Sequence, residues 1–160
     1  MGVEIILEGD NFRPLDQGEP DERLLVEKYI PGREIQVAVM GDRALGAIEI
    51  VSPGRFYDYE AKYAPGGSKH LMPAPMPEGD YKLALDYSLR AHKALGCRGL
   101  TRSDLRYDDT GAGGAELYLL EVNTQPGMTP TSLAPEIAAH QGLSFEDLCR
   151  ELVEDASCDR

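Results

Sequence analysis

The stretch "REIQVAVMGDRALGAIEIV", Arg33 to Val51, constrains the fold more than any other part of the chain. Apolar and polar residues alternate through "REIQVAVMG", the period of a half-buried β-strand. Gly41-Asp42 breaks the run and "RALGAIEIV" resumes it, so the pair predicts an antiparallel hairpin. A hairpin of this kind is marginal alone and needs further strands or helices to cover it.

The rest of the chain supplies them. "RGLTRSDLRYD" and "AELYLLEVN" read as two more strands joined by the flexible loop "DTGAGG". "DYKLALDYSLRAHKALG" places Leu83, Leu85, Tyr87, Leu89, Ala94 and Leu95 at roughly helical spacing, with Gly96 as a stop. "LAPEIAAHQG" and "SFEDLCRELVEDA" read as helices, the second opened by a capping-box pattern of Ser144 and Asp147. "VEIILE" (Val3 to Glu8) and "RLLVEKYI" (Arg23 to Ile30) read as strands flanking an exposed loop over residues 9–22. Strands outnumber helices and connect mainly as hairpins, so the predicted class is α+β with a largely antiparallel sheet and flanking helices. A length of 160 residues fits one domain.

Ser52 to Gly79 is rich in Pro and Gly and shows little periodicity, yet it holds Phe56, Tyr57, Tyr59 and Tyr63. Aromatics are scarce in disordered tracts. The segment therefore reads as a lid that orders over a ligand, although aromatics that merely pin a surface loop give the same pattern.

Charge and cysteine usage exclude several classes. The formal net charge of −12 repels nucleic acid and anionic membranes. No apolar run nears the roughly 20 residues that span a bilayer, and "MGVEIILEGDNF" lacks the basic start of a signal peptide. A cytoplasmic protein is the expectation. Cys97, Cys149 and Cys158 form neither a CxxC pair nor an even set, and His70, His92 and His140 have no ligand spacing. These six are expected to be structural or incidental.

The chemistry concentrates on the second strand pair. Arg102 and Asp104 stand two apart on one strand, and Glu121 and Asn123 two apart on the next. That spacing puts each pair on a single face. If the strands pair, two carboxylates and an amide oxygen converge, hard donors of the kind Mg²⁺ takes alongside substrate phosphates. A solvent-facing strand surface with ordinary salt bridges is an equally common origin of the spacing.

Four blocks weigh against that plainer origin. "LLVEKYIPGREIQVAV", "FYDYEAKY", "LGCRGLTRSDL" and "LLEVNTQPGMTPTSLAPEIA" resemble, in order and nearly continuously from about Gly2 to Asp155, the D-alanine–D-alanine ligases of the ATP-grasp superfamily. The resemblance implies an ATP-grasp C-terminal lobe over residues 1–160, with an N-terminal domain and part of a central domain absent. It implies ATP-dependent joining of two D-alanines through an acylphosphate, in the synthesis of peptidoglycan precursors. Glu27 would take the adenine amine, the Lys28, Tyr29 and Ile30 backbone would line the base, and Glu34 would hold the ribose hydroxyls. Phe56 and Lys62 would come from the lid, Lys62 to the phosphates. Asp104, Glu121 and Asn123 match a site for two Mg²⁺ ions, with Mn²⁺ as a substitute and Glu121 bridging. Arg102 matches a residue that steadies the transferring phosphoryl group, and Gly127 one that offers a backbone N–H to the oxyanion. Tyr63 and Ser132 match residues that close on substrate, Ser132 holding the second D-alanine's carboxylate and also suiting a helix N-cap.

A chain holding this lobe alone is expected to ligate weakly or not at all, and to self-associate or accept a partner that supplies the missing lobes. Two other readings stay open. One is an ATP- and metal-binding module without ligase activity, and the other is a carboxylate–amine ligase with a different substrate.

Overall fold

The computed structural model describes residues 5–6, 23, 25–51 and 68–158. The chain divides into two compact units, Met1–Ile30 and Pro31–Arg160. In the first unit the described residues carry neither helix nor strand. The strand expected at Arg23 to Ile30 is therefore not formed among them. An apolar run becomes a strand only when a neighbour pairs with it, and a sequence pattern does not show the neighbour. The expected strand at Val3 to Glu8 lies outside the described residues except at Ile5 and Ile6, and the loop over 9–22 lies wholly outside them.

Among its described residues the second unit is a five-stranded antiparallel sheet with three helices. In chain order the strands are β1 (Arg33–Met40), β2 (Arg43–Val51), β3 (Lys69–Leu71), β4 (Leu100–Asp108) and β5 (Glu116–Asn123). They lie side by side as β3-β2-β1-β4-β5. The helices are α1 (Glu78–Ala94), α2 (Leu133–His140) and α3 (Phe145–Asp155). The α+β class and the antiparallel sheet stand as expected.

Gly41 makes the first hairpin possible. Its φ of +57° suits the first central position of a two-residue hairpin turn, where a side chain would be strained. β1 is central and deeper than its alternation suggests, because every residue from Ile35 to Met40 is buried. One face packs Ala38, Met40, Leu45, Ile48 and Leu100 against Leu133, Ile137 and Leu148 of α2 and α3. The opposite face packs Ile35, Val37, Val39, Ala47, Leu105 and Tyr107 against Ala84 of α1, with Leu85 and Leu89 alongside.

α1 begins two residues before the predicted Asp80, so Gly79 lies in the helix. Its buried stripe is Ala84, Ser88 and His92, while Leu83 is exposed. The Ser88 hydroxyl donates to the Ala84 carbonyl at 2.9 Å. His92 Nδ1 lies 2.8 Å from the Thr101 hydroxyl on β4. Burial lowers the His92 pKa, and a backbone hydrogen bond at Cys97 opposes it in part. His92 is thus structural, as expected, and it ties α1 to β4. His70 on β3 meets Glu136 on α2 at 2.7 Å, and His140 is exposed.

β3 is the part of the 52–79 segment that the sequence reading missed. Three residues amid Pro and Gly carry no measurable period. α3 is capped as predicted, with Ser144 Oγ accepting from the Asp147 N–H at 3.1 Å. Its hydroxyl also donates to the Asp147 carboxylate at 2.8 Å, which with Arg150 holds the Asp147 pKa below its ordinary value.

Candidate functional site

β4 and β5 pair with Arg102 opposite Asn123, Ser103 opposite Val122 and Asp104 opposite Glu121. Directly opposed residues share a face. Arg102, Asp104, Glu121 and Asn123 therefore point to one side of the sheet, while Ser103 and Val122 point to the other. The convergence rests on an irregularity. Leu105 pairs with Leu119 and Asp104 with Glu121, which leaves Leu120 as an extra, unpaired residue in β5. Strict alternation from Leu117 and Leu119 would send Glu121 into the apolar face and Leu120 toward Arg102 and Asp104. The bulge reverses this. Leu117, Leu119 and Val122 keep the apolar side, and the acid and the amide face the arginine.

The same face of β1 continues the polar patch. Gln36 stands opposite Asp104 and Glu34 opposite Arg106. The Gln36 amide donates to Glu34 Oε1 at 3.1 Å. Farther along this face Ala38, Met40 and Leu100 run under the helices. One sheet face is thus apolar where α2 and α3 cover it and polar where they do not.

Arg102 organises the charge. Its Nε donates to Asp104 Oδ1 at 2.7 Å and its Nη2 to Oδ2 at 2.9 Å, a two-pronged pair of half-buried side chains. Burial alone would lower the Arg102 pKa, yet the Asp104 hydrogen bond and the charges of Asp104, Glu121 and Glu34 carry it above its ordinary value. Three carboxylates thus act on one guanidinium, although Arg106 lies on this face too and donates to the Gly32 carbonyl at 2.7 Å. Like charges directly opposite on paired strands destabilise a sheet. Asp104 and Glu121 stand so, and a bound cation would relieve them.

The donor set suits such an ion. Two carboxylates and the Asn123 amide oxygen are all hard ligands. Asp104 gives each oxygen one hydrogen bond's worth of lone pair to Arg102, and Asn123 Oδ1 accepts from the Gln125 N–H at 3.0 Å, so each retains a lone pair. Among the described residues no group of three or more His, Cys, Asp or Glu is placed to hold a metal. Two acids and an amide fall short of a protein-only cage, which is the usual situation for Mg²⁺ that completes its shell with waters and phosphates.

β5 runs into a loop that returns to α2. Ser132 occupies the N-cap position of α2 but makes no side-chain cap bond there. Its Oγ instead accepts from the Thr129 N–H at 3.1 Å and lies 2.8 Å from the Thr129 hydroxyl. A Cβ at Gly127 would come within 2.9 Å of that Oγ, so a larger residue would push the Ser132 hydroxyl off its Thr129 partners. Gly127 and Ser132 are brought together at the end of the strand that carries Glu121 and Asn123.

Glu27, Lys28, Tyr29 and Ile30 belong to the N-terminal unit. Phe56, Lys62 and Tyr63 lie outside the described residues, as do Tyr57 and Tyr59. Sequence reasoning did not single out Gln36, a polar position of the alternating run, or Leu120. The doublet Leu119-Leu120, which breaks alternation just before the acid, was the available signal for the bulge.

A family profile described as D-ala D-ala ligase C-terminus matches residues 15–154. The D-alanine–D-alanine ligase of Paramagnetospirillum magneticum is 65% identical over 139 residues, covering 86% of this chain and 46% of that protein. That of Ruegeria pomeroyi is 56% identical over 160 residues, covering 100% of this chain and 52% of its own length. A solved D-alanine–D-alanine ligase from Bacillus anthracis, complexed with ATP, superposes with a TM-score of 0.65 at 29% identity over 81% of this chain and 39% of that one. The chain spans about half the length of the curated relatives it matches.

Proposed function

The chain belongs to the D-alanine–D-alanine ligase C-terminal family, of ATP-grasp fold, and from that premise we propose that it forms the nucleotide- and metal-facing lobe of a ligase that joins two D-alanines for peptidoglycan precursors. In this reading ATP transfers its γ-phosphoryl group to a carboxylate oxygen of the first D-alanine, giving an acylphosphate and ADP. The amine of the second D-alanine then attacks the acyl carbon. Phosphate leaves from the tetrahedral intermediate with its bonding pair, and the new amide nitrogen sheds a proton. Work of this kind falls on positioning and charge neutralisation, and a cytoplasmic setting supplies the ATP.

Each role goes to a residue already described or named. Asp104, Glu121 and Asn123 would hold two Mg²⁺ or Mn²⁺ ions, which when bound offset phosphate charge. Arg102 would meet the transferring phosphoryl group, with Asp104 setting its plane through the two-pronged pair. The Gly127 N–H would face the oxyanion and Ser132 the second substrate's carboxylate, at the start of a helix whose dipole favours an anion. Glu34 would take the ribose hydroxyls, and Glu27 with the Lys28–Ile30 backbone would take the adenine. Phe56, Lys62 and Tyr63 would close from the segment between β2 and β3. An acylphosphate survives only where water is kept out, and Glu121 is exposed. Ligation therefore needs a further surface over this face, whereas binding Mg·ATP needs less.

The observation that carries the reading is the bulged register that sets Glu121 and Asn123 beside Arg102 and Asp104. Calorimetric titration of Mg·ATP tests it. Saturable, Mg²⁺-dependent binding should weaken by roughly tenfold or more in Glu121→Ala and in Asn123→Ala, the scale of a lost charged ligand. Equal affinity in both variants would remove the site from this face. Phosphate release that requires D-alanine separates ligation from nucleotide binding alone.

A further inference from the structure

The start of β3 faces α2. His70 stands opposite Ile50 on β2, whose side chain lies in the cluster beneath α2 and α3, and directly opposed residues share a face. The His70 ring joins two side chains. Nδ1 lies 2.7 Å from Glu136 Oε2 on α2, and Nε2 lies 3.3 Å from the Ser68 hydroxyl. With the ring neutral, the chemistry of the partners fixes both directions. An ionised carboxylate only accepts, so Nδ1 carries the ring proton and donates to Glu136. Nε2 then holds the lone pair, and the Ser68 hydroxyl donates to it. A hydroxyl is thus set on a base whose other nitrogen is held by an acid, the order of groups that activates a serine as a nucleophile. Fastening β3 to α2 accounts for the His70–Glu136 pair and leaves the serine on the far nitrogen unexplained. The His70 and Glu136 side chains are 23% and 36% exposed and Ser68 is half-buried, so a small solute reaches all three.

We propose that Ser68, His70 and Glu136 form an acyl-accepting site for activated esters, on the β3 edge of the sheet and independent of the ligase reading. Ser68 Oγ attacks the ester carbonyl carbon while its proton passes to His70 Nε2, and the Glu136 carboxylate stabilises the imidazolium that forms. The ester oxygen leaves with its bonding pair and takes that proton, which puts the acyl group on Oγ. Water then attacks the acyl-serine, with His70 taking its proton. The bond from Oγ to the acyl carbon breaks toward oxygen, Oγ recovers the proton, and a free acid departs.

Two probes test the site on the wild-type protein. One is p-nitrophenyl acetate, followed by p-nitrophenolate release. The other is an alkyl fluorophosphonate, whose stable serine adduct is located by peptide mass spectrometry. The fluorophosphonate should label Ser68 ahead of the chain's other serines. Labelling should slow by roughly a hundredfold in His70→Gln, the low end for a lost general base. It should slow by at least about tenfold in Glu136→Gln, which keeps an acceptor for Nδ1 but not the charge. Catalysed release of p-nitrophenolate should be lost in Ser68→Ala, which leaves the His70–Glu136 pair in place. A wild type in which Ser68 stays unlabelled overturns the site. Labelling as fast in folded His70→Gln as in the wild type reduces His70 to a fastener of β3 and overturns the proposal. If the His70 variant does not fold, Ser68→Ala decides alone: release equal to the wild type puts the reactivity on other side chains and overturns the proposal.

Discussion

In the β1–β2 hairpin the extra residue is Leu45, which is 6% exposed; in the β4–β5 hairpin it is Leu120, which is 53% exposed. Both ladders slip by one, since Val39 pairs with Ala44 and Ala38 with Gly46 in the first, as Leu105 and Asp104 pair with Leu119 and Glu121 in the second. In the first hairpin the slip places Leu45 among Met40, Ile48, Ile137 and Leu148. The inserted residue itself is what the fold uses. In the second the inserted residue is left largely in solvent, and what the fold uses is the reversal of everything after it. The same backbone device thus serves packing at one end of the sheet and side-chain direction at the other.

The largest effect should come from the packing bulge. Leu45→Ala removes a buried side chain from the cluster beneath α2 and α3, and should lower unfolding free energy by about 2–5 kcal/mol. Urea denaturation measures it. A loss below about 1 kcal/mol would show that the first bulge is not a packing device and that the contrast is false.

Deleting Leu120 comes next. Without the extra residue Glu121 follows Leu119 directly, so plain alternation still pairs Glu121 with Asp104 and Asn123 with Arg102 on the polar face. Only the local twist of the bulge is lost, so Mg·ATP binding should weaken by no more than about threefold while far-ultraviolet circular dichroism keeps the sheet signal. A loss of roughly tenfold or more in a folded deletion variant would mean that the bulge's twist, and not the facing of the side chains, aims the site.

How much of this could be read in advance differs between the hairpins. The first was legible as a hairpin because Gly41-Asp42 interrupts two alternating runs, and the facing of β4 and β5 was legible because "DTGAGG" joins them. Register inside a ladder was not, because alternation reports faces only while the count of residues is unbroken. Burial depth was not legible either. Gln36 was a polar position of the alternating run, and the strand's central place in the sheet, which alone decides its burial, depends on partners distant in sequence. Of the site, the residue types on β4 and β5 were readable, whereas the place of Glu34 opposite Arg106, within reach of the Arg102 charge, emerged only from the β1–β4 pairing.

A smaller effect should appear on the acid side of the stability curve, through the strand that carries Arg102. His92 is buried under β4 against Thr101, and burial depresses its pKa below 6.5. A base with a depressed folded pKa binds fewer protons in the native than in the unfolded state, so its neutral form contributes fully above about pH 6.5. That contribution fades as pH falls from there through the lower, folded value. Unfolding midpoints in urea should therefore drop between pH 7 and pH 5 in the wild type and drop less in His92→Gln. Parallel slopes in the two proteins would mean that the link from α1 to the site strand does not titrate.

The smallest effect should be the substitution of Leu120 in place. If the bulge acts by counting residues and not by the side chain it inserts, Leu120→Thr keeps the register and leaves Glu121 and Asn123 where they are. The side chain is half in solvent, and threonine suits a strand, so stability should move by no more than about 0.5 kcal/mol. Mg·ATP affinity should stay within about twofold of the wild type. Set beside the deletion, this variant changes the side chain while keeping the residue, so the pair separates the leucine's own contacts from the twist that an extra residue adds. A roughly tenfold loss of affinity would instead mean that the leucine side chain takes part in the site, and the two bulges would then be alike in using the residue they insert.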